Sequence, residues 1–223
     1  LEAALARTGP FDRSAAEYDR WFDEHRAVYL SELEAVRAML PEYSKPLEVG
    51  AGTGRFAQPL EISLGIEPSA AMRRIAQSRG IEVLEGVAEA LPFSDDSFDL
   101  VLLVTTICFV DDVDRALQEC HRVLADGGHI VVGFLDRETE LGREYEAHKM
   151  ESEFYRAARF RSSMEITDAL TRAGFQDLAS VQTVFSPVSG RGENADTIEL
   201  GHGHGLFVVV RGRKVQSGAR APD

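Results

Sequence analysis

Three glycines stand at alternate positions in Leu47-Glu48-Val49-Gly50-Ala51-Gly52-Thr53-Gly54-Arg55-Phe56, directly behind a short apolar run. Glycine has no β-carbon, so a turn built from it bends sharply and lets a ligand rest against the main chain. The spacing is G-x-G-x-G. A dinucleotide-binding turn is spaced G-x-G-x-x-G and needs a small residue where this chain has Arg55, which weakens an NAD reading. The next apolar run ends in Leu64-Gly65-Ile66-Glu67-Pro68-Ser69. A carboxylate at Glu67 can accept hydrogen bonds from both hydroxyls of a ribose, each worth about 1.5–3 kcal/mol. A third run leads into Gly86-Val87-Ala88-Glu89-Ala90-Leu91-Pro92-Phe93. A loop of small residues after a parallel strand offers a slot for a flat purine, because ligands of open α/β sheets bind at the carboxyl ends of the strands.

These residues need a scaffold, and the periodicity of the chain supplies one. Strands are expected near Leu47 to Gly50, Ile62 to Glu67, Ile81 to Leu84, Phe98 to Val104, His129 to Leu135, Leu178 to Val184 and Leu206 to Val210. Between them, Ser69 caps a helix stopped by Gly80, and Asp112 to Leu124 forms another stopped by Asp126-Gly127-Gly128. The alternation predicts an α/β fold: a Rossmann-like, mostly parallel seven-stranded sheet with helices on both faces and an antiparallel last strand. The antiparallel ending follows from the polar, Gly-rich link after Val184, which has no helical period. Apolar residues at helical spacing from Ser14 to Leu40 predict two helices or one bent helix, opened by a capping box of Ser14 and Glu17. A second capping box, Ser162 with Glu165, opens the helix that ends at Gly174. One domain over residues 1–213 is expected, with 1–45 as a helical lid, 137–161 as an inserted helical cap and 214–223 as a mobile tail.

Composition removes several function classes. Of 223 residues, 44% are hydrophobic and 27% charged, enough to fill a core and cover it. A net charge of −13 repels a phosphate backbone, so no nucleic-acid partner is expected. No apolar stretch approaches the length of a bilayer span and no charged-then-apolar leader opens the sequence, so neither a membrane nor any location other than the cytoplasm is expected. Cys108 and Cys120 read as small buried hydrophobes.

Taken in order, the glycine turn, Glu67, the Ala88–Phe93 loop, Ser97-Phe98-Asp99 and Arg122-Val123-Leu124 with Gly127-Gly128 resemble the motifs of class I S-adenosylmethionine-dependent methyltransferases. The resemblance is to the branch acting on small molecules and quinone precursors. It implies S-adenosyl-L-methionine as cofactor. Glu48 and the turn Gly50, Ala51, Gly52 and Gly54 would hold the methionine part, Glu67 with Pro68 the ribose, and Ala88 and Glu89 the adenine. Thr105 and Thr106 would line the passage where donor meets acceptor, with Thr105 on the cofactor side and Thr106 on the acceptor side. Tyr18, Trp21 and Tyr145 would close over a small-molecule acceptor. One departure stands out: only Arg55 to Glu61, with Pro59 inside, separates the glycine turn from the second strand, so the first helix is truncated.

Methyl transfer from a sulfonium is an in-line displacement that needs alignment more than acid or base; alignment supplies about 7–11 kcal/mol of the barrier. For a hydroxyl acceptor the candidate bases are His25, Asp111 and Tyr18, unranked. Bland readings stand beside these: Tyr18 and Trp21 fit core packing equally well, and Arg156, Arg159 and Arg161 fit surface pairing with Glu151 and Glu153 better than an anion-docking patch. His202 and His204, with Glu199 nearby, read as solvated rather than as metal ligands, so no metal is assigned. A non-catalytic S-adenosylmethionine-binding protein, and after it an NAD-dependent oxidoreductase, are the alternative functions, and a homodimer is an open expectation.

Overall fold

Eight strands form one sheet in the computed structural model, which describes residues 8–187 and 195–215. They are β1 (Pro46–Val49), β2 (Leu64–Ile66), β3 (Glu82–Leu84), β4 (Phe98–Val104), β5 (Leu124–Leu135), β6 (Phe175–Thr183), β7 (Glu199–Leu200) and β8 (Phe207–Lys214), in the spatial order β3-β2-β1-β4-β5-β8-β6-β7. β1 to β5 are parallel, while β8 inserts antiparallel between β5 and β6. The expected sheet was one strand short. The addition is β7, a two-residue edge strand paired through Val181 with Leu200 and Gln182 with Glu199; it is too short and too exposed to carry a hydrophobic period.

The apolar runs become strands because both faces of the sheet are covered, which selects continuous rather than alternating hydrophobicity. On one face Val28, Ala35 and Val36 of α2 (Arg26–Met39) pack with Leu100, Leu102, Val131 and Val209. On the other, Leu117 and Cys120 of α4 (Val113–Val123) and Ile166 and Leu170 of α6 (Ser163–Arg172) pack with Val101, Leu103, Val132 and Val208. The remaining helices are α1 (Gly9–Glu24), α3 (Ala70–Ser78) and α5 (Glu140–His148). The strand order reverses between β1 and β4, which places the ligand crevice of such sheets above those two strands.

Local chemistry explains most boundaries. The Ser69 hydroxyl accepts from the Met72 amide and starts α3, and the Ser162–Glu165 capping box forms in both directions, at 3.2 and 2.8 Å. The Ser14–Glu17 box does not form. α1 starts five residues earlier, with Pro10 in its first turn, and Ser14 breaks the helix at φ −124° and ψ 28° while its hydroxyl donates to Glu153 at 3.0 Å. Asp126-Gly127-Gly128 does not end a helix but bulges within β5: Leu124 pairs with Phe98, His129 with Leu100, and Gly127 takes φ +83°. Lys214 belongs to β8 rather than a tail, with Nζ bonded to the Leu124 carbonyl at 2.7 Å and Asp96 at 2.8 Å; the rest of the expected tail, 216–223, lies outside the described residues. Among the described residues no helix is long and apolar enough to cross a membrane, and no three His, Cys, Asp or Glu side chains gather as a metal site.

Candidate cofactor and acceptor site

After β1 the chain passes through Gly50, Gly52 and Gly54 at φ +74°, +54° and +81°, a region that costs other residues about 1–2 kcal/mol each. The three glycines have different neighbours. A β-carbon at Gly50 would collide with the Thr106 side chain, and one at Gly54 with Ile81. At Gly52 the nearest atom would be Tyr18 Cε1 at 4.0 Å. Gly50 and Gly54 thus make room for protein packing, and Gly52 leaves room in a cleft.

That cleft holds about 810 Å³ of empty space, counted together with the solvent at its open mouth. Gly50 and Gly52 form part of its floor, Glu67 and Pro68 one side, Ala88 and Glu89 another, and Thr105 and Thr106 the passage at the end of β4. Tyr18 roofs it from α1. The structure therefore brings together nine of the expected residues from five chain segments.

Glu67 ties two of those segments into one wall. Its two carboxylate oxygens accept from the Gly52 amide at 3.0 Å and the Ser69 amide at 2.8 Å, leaving further lone pairs for a ligand. Burial pushes this carboxyl above its ordinary range, against the pull of those amides. Across the cleft, Glu89 Oε1 accepts from the Asp111 and Asp112 amides at 2.8 and 3.3 Å and fixes the loop after β4. Thr105 sits at φ +48°, a conformation that favours glycine; it is held there by its amide bond to the Gly133 carbonyl at 2.8 Å and by the Cys108 thiol donating to its carbonyl at 3.3 Å. Burial pushes the Cys108 thiol up to about 12, so it stays protonated.

The Tyr18 side chain is partly buried, and desolvation raises its phenol well above the usual range despite its bond to Thr105. Its ring meets Phe11, Phe22 and Phe154 edge-on, with centroids 5.3–5.7 Å apart. Phe11, Phe109, Val110 and Asp111 complete the lining of the cleft.

Glu48, Ala51 and Gly54 lie behind the cleft rather than on its surface. Glu48 is 2% exposed; it accepts from the Ala57 amide, its Oε2 has no partner, and burial drives its carboxyl well above the ordinary range. Trp21 stacks on His25 with ring centroids 4.6 Å apart. His25 and Tyr145 line a different, open groove with Leu141 and Tyr155. Of the three candidate bases, only Tyr18 and Asp111 border the cleft. The expectation missed Thr8, Phe11, Met72, Phe109 and Val110. Two signals could have found some of these: Phe11 lies seven residues before Tyr18, on the same helical face, and Phe109 and Val110 directly follow the carboxyl end of β4.

The glycine cradle at Gly52, the acid beside it and the small-residue slot at Ala88 fit a nucleoside that carries a polar arm. Residues 47–132 match the family model described as a methyltransferase domain. A Thermotoga maritima structure described as a SAM-dependent methyltransferase, possible histamine N-methyltransferase, is 51% identical, superposes with a TM-score of 0.90, and the match covers 93% of this chain and 99% of that one. An uncharacterized protein of Methanocaldococcus jannaschii is 40% identical over 207 residues, covering 92% of this chain and 98% of its own. A malonyl-[acyl-carrier protein] O-methyltransferase of Geobacter sulfurreducens is 34% identical over 184 residues, 75% of this chain and 69% of that protein. The chain belongs to the class I S-adenosylmethionine-dependent methyltransferases, and S-adenosylmethionine is its cofactor. Nothing in these names points to the quinone-precursor branch.

Proposed function

We propose that this methyltransferase acts on a small-molecule acceptor held beneath Tyr18, Phe11 and Phe109, with the cofactor along the wall formed by Gly52 and Glu67. The bond between the Gly52 amide and the Glu67 carboxylate carries this reading, because it joins the glycine turn of β1 and the acid of β2 in one ligand-facing surface. Glu67, with Pro68, takes the ribose hydroxyls, Ala88 and Glu89 flank the adenine, and Gly50 and Gly52 border the amino-acid arm. Glu48, Ala51 and Gly54 serve that arm from behind: Glu48 holds the turn through Ala57, and Ala51 and Gly54 pack it against β2 and α3. Residues 8–24 act as the lid.

When bound, the cofactor supplies a methyl group already activated on sulfur, so the protein's task is alignment and exclusion of water. Thr105 and Thr106 narrow the passage, and Thr106 is itself fixed by bonds from its hydroxyl to the Val104 and Gly50 carbonyls at 3.0 and 3.3 Å. Tyr18 keeps its proton at neutral pH because burial disfavours the phenolate, so it orients rather than deprotonates. His25 stands outside the cleft. An acceptor that must lose a proton has Asp111 as the remaining candidate at the wall. Trp21 and Tyr145 touch the acceptor side only through their neighbours, Trp21 by the edge-on Phe22 that supports Tyr18, and Tyr145 by Tyr155, which stacks on Phe109.

An NAD-dependent reading is disfavoured by the short turn that follows Gly54, a single 3₁₀ segment at Gln58–Leu60 where a pyrophosphate site requires a helix N-terminus. A purely cofactor-binding protein has no need of the aromatic chamber over Thr105. The test is production of S-adenosylhomocysteine with a panel that includes aromatic amines, small carboxylic acids and a malonyl group on a carrier protein. Turnover on a free small molecule is expected; turnover only on the carrier-borne acceptor, or on none, would overturn the assignment.

A further inference from the structure

Arg55 is the residue that spoils a dinucleotide fingerprint, and its side chain leaves the cleft altogether. Its guanidinium makes five hydrogen bonds to two turns of α1: Nε and Nη2 to the Asp19 carboxylate at 2.8 and 2.9 Å, Nη2 to the Asp19 carbonyl at 2.9 Å, and Nη1 and Nη2 to the Asp23 carboxylate at 2.8 and 2.7 Å. Arg79, just past α3, adds a bond to Asp19 at 2.8 Å and one to the Thr53 carbonyl at 2.6 Å, inside the glycine turn. Arg55 also lies over the Phe22 ring at 5.7 Å, and its carbonyl accepts from the Tyr29 hydroxyl at 2.6 Å.

Isolated exposed ion pairs contribute little, but this one is forked and largely buried: the Arg55, Asp19 and Arg79 side chains are 16%, 17% and 17% exposed. Burial would raise the Asp19 carboxyl, yet the two arginines overcome it and hold it down at about 2. Asp19 immediately follows Tyr18, and the same helix carries Phe11, so the clasp fastens the roof of the cleft to the turn that forms its floor.

The geometry points to Arg55 as a positioning residue that couples cofactor retention to closure of α1, a role that rests on the cofactor site proposed above. The clasp makes release of the nucleoside require the separation of a charged, multidentate contact, so its loss speeds release without touching any residue that faces the ligand. Because Asp23 is 64% exposed, added salt weakens the clasp from that side.

Trp21, the single tryptophan, lies between Asp19 and Asp23 in α1 and serves as the fluorescence probe. Dissociation of S-adenosylhomocysteine from the full chain is followed by stopped-flow fluorescence at about 0.05 and 0.5 M salt. Arg55→Met is expected to release it about tenfold faster with a reduced salt dependence, the Arg79–Asp19 pair remaining. Arg55→Lys falls between that variant and wild type, and Asp23→Asn, a change at an exposed position, gives a smaller acceleration and a flatter salt response. Wild-type release rates in both Arg55→Met and Asp23→Asn, or an unchanged salt response, would overturn the clasp. Failure of the wild type to bind S-adenosylhomocysteine in calorimetry would instead overturn the cofactor site and the clasp with it.

Discussion

Gly52 and Gly54 look equivalent in the sequence, yet alanine should affect them in opposite ways. At Gly52 a methyl group meets no protein atom closer than 4.0 Å, so the cost to the fold is confined to the positive φ of +54°, about 1 kcal/mol. For a chain of this size that lowers Tm by about 2–4 °C. The methyl group stands in the cleft proposed to hold the cofactor, and losing van der Waals fit there should weaken S-adenosylhomocysteine at least about tenfold, or about 1.4 kcal/mol. At Gly54 the same methyl group drives into Ile81 and Ala76 at φ +81°. Overpacking adds about 1–3 kcal/mol to the backbone strain, so Gly54→Ala should lose more stability and less intrinsic affinity. Isothermal calorimetry with S-adenosylhomocysteine and thermal melts of both variants measure the two quantities separately. Wild-type affinity in folded Gly52→Ala, or a larger affinity loss in Gly54→Ala, would refute the assignment of Gly52 as the glycine that faces the ligand.

Glu67→Gln replaces one oxygen with an NH2 group that faces an amide donor, Gly52 or Ser69; a loss of cofactor affinity of about 10- to 100-fold is expected by calorimetry. Glu48 binds its proton more tightly when folded, because burial raises its carboxyl; its contribution is complete at low pH and is lost as pH rises from the ordinary carboxylate range toward the raised folded value. Glu48→Gln should therefore flatten the fall in Tm of the ligand-free protein between about pH 5 and pH 8, and an unchanged slope would argue against a buried protonated acid. Tyr18→Phe, which removes the bond to Thr105 but keeps the ring, should slow methyl transfer by less than about tenfold and leave its pH profile in place; a loss of about 10²–10⁴ would mark Tyr18 as the base after all.

The glycine turn, Glu67 and the Ala88 loop were legible because each is set by a few neighbouring residues at the end of a strand, and strand ends converge in a parallel sheet by construction. The truncated first helix was legible for the same reason, since Pro59 and the short Arg55–Glu61 spacer leave room for only the turn at Gln58–Leu60. Features decided by distant contacts were not. Ser14 follows a capping pattern with Glu17 but is recruited by Glu153, 139 residues away, and becomes a kink. β7 exists only because Val181 and Gln182 offer it an edge. Trp21 and Tyr145 have the composition of a site lid, yet helical phase turns Trp21 onto His25 and the cap places Tyr145 in a separate groove. Arg55 registered in the sequence as an anomaly in a glycine pattern, and its partners on α1 could not be read from spacing alone.

A crystal structure of the protein with S-adenosylhomocysteine tests the central assignment most directly. Density is expected in the cleft with the ribose hydroxyls on Glu67, the amino-acid arm against Gly52, the purine beside Ala88 and the sulfur facing Thr105. Density for the nucleoside anywhere else, or with its sugar away from Glu67, would contradict the account.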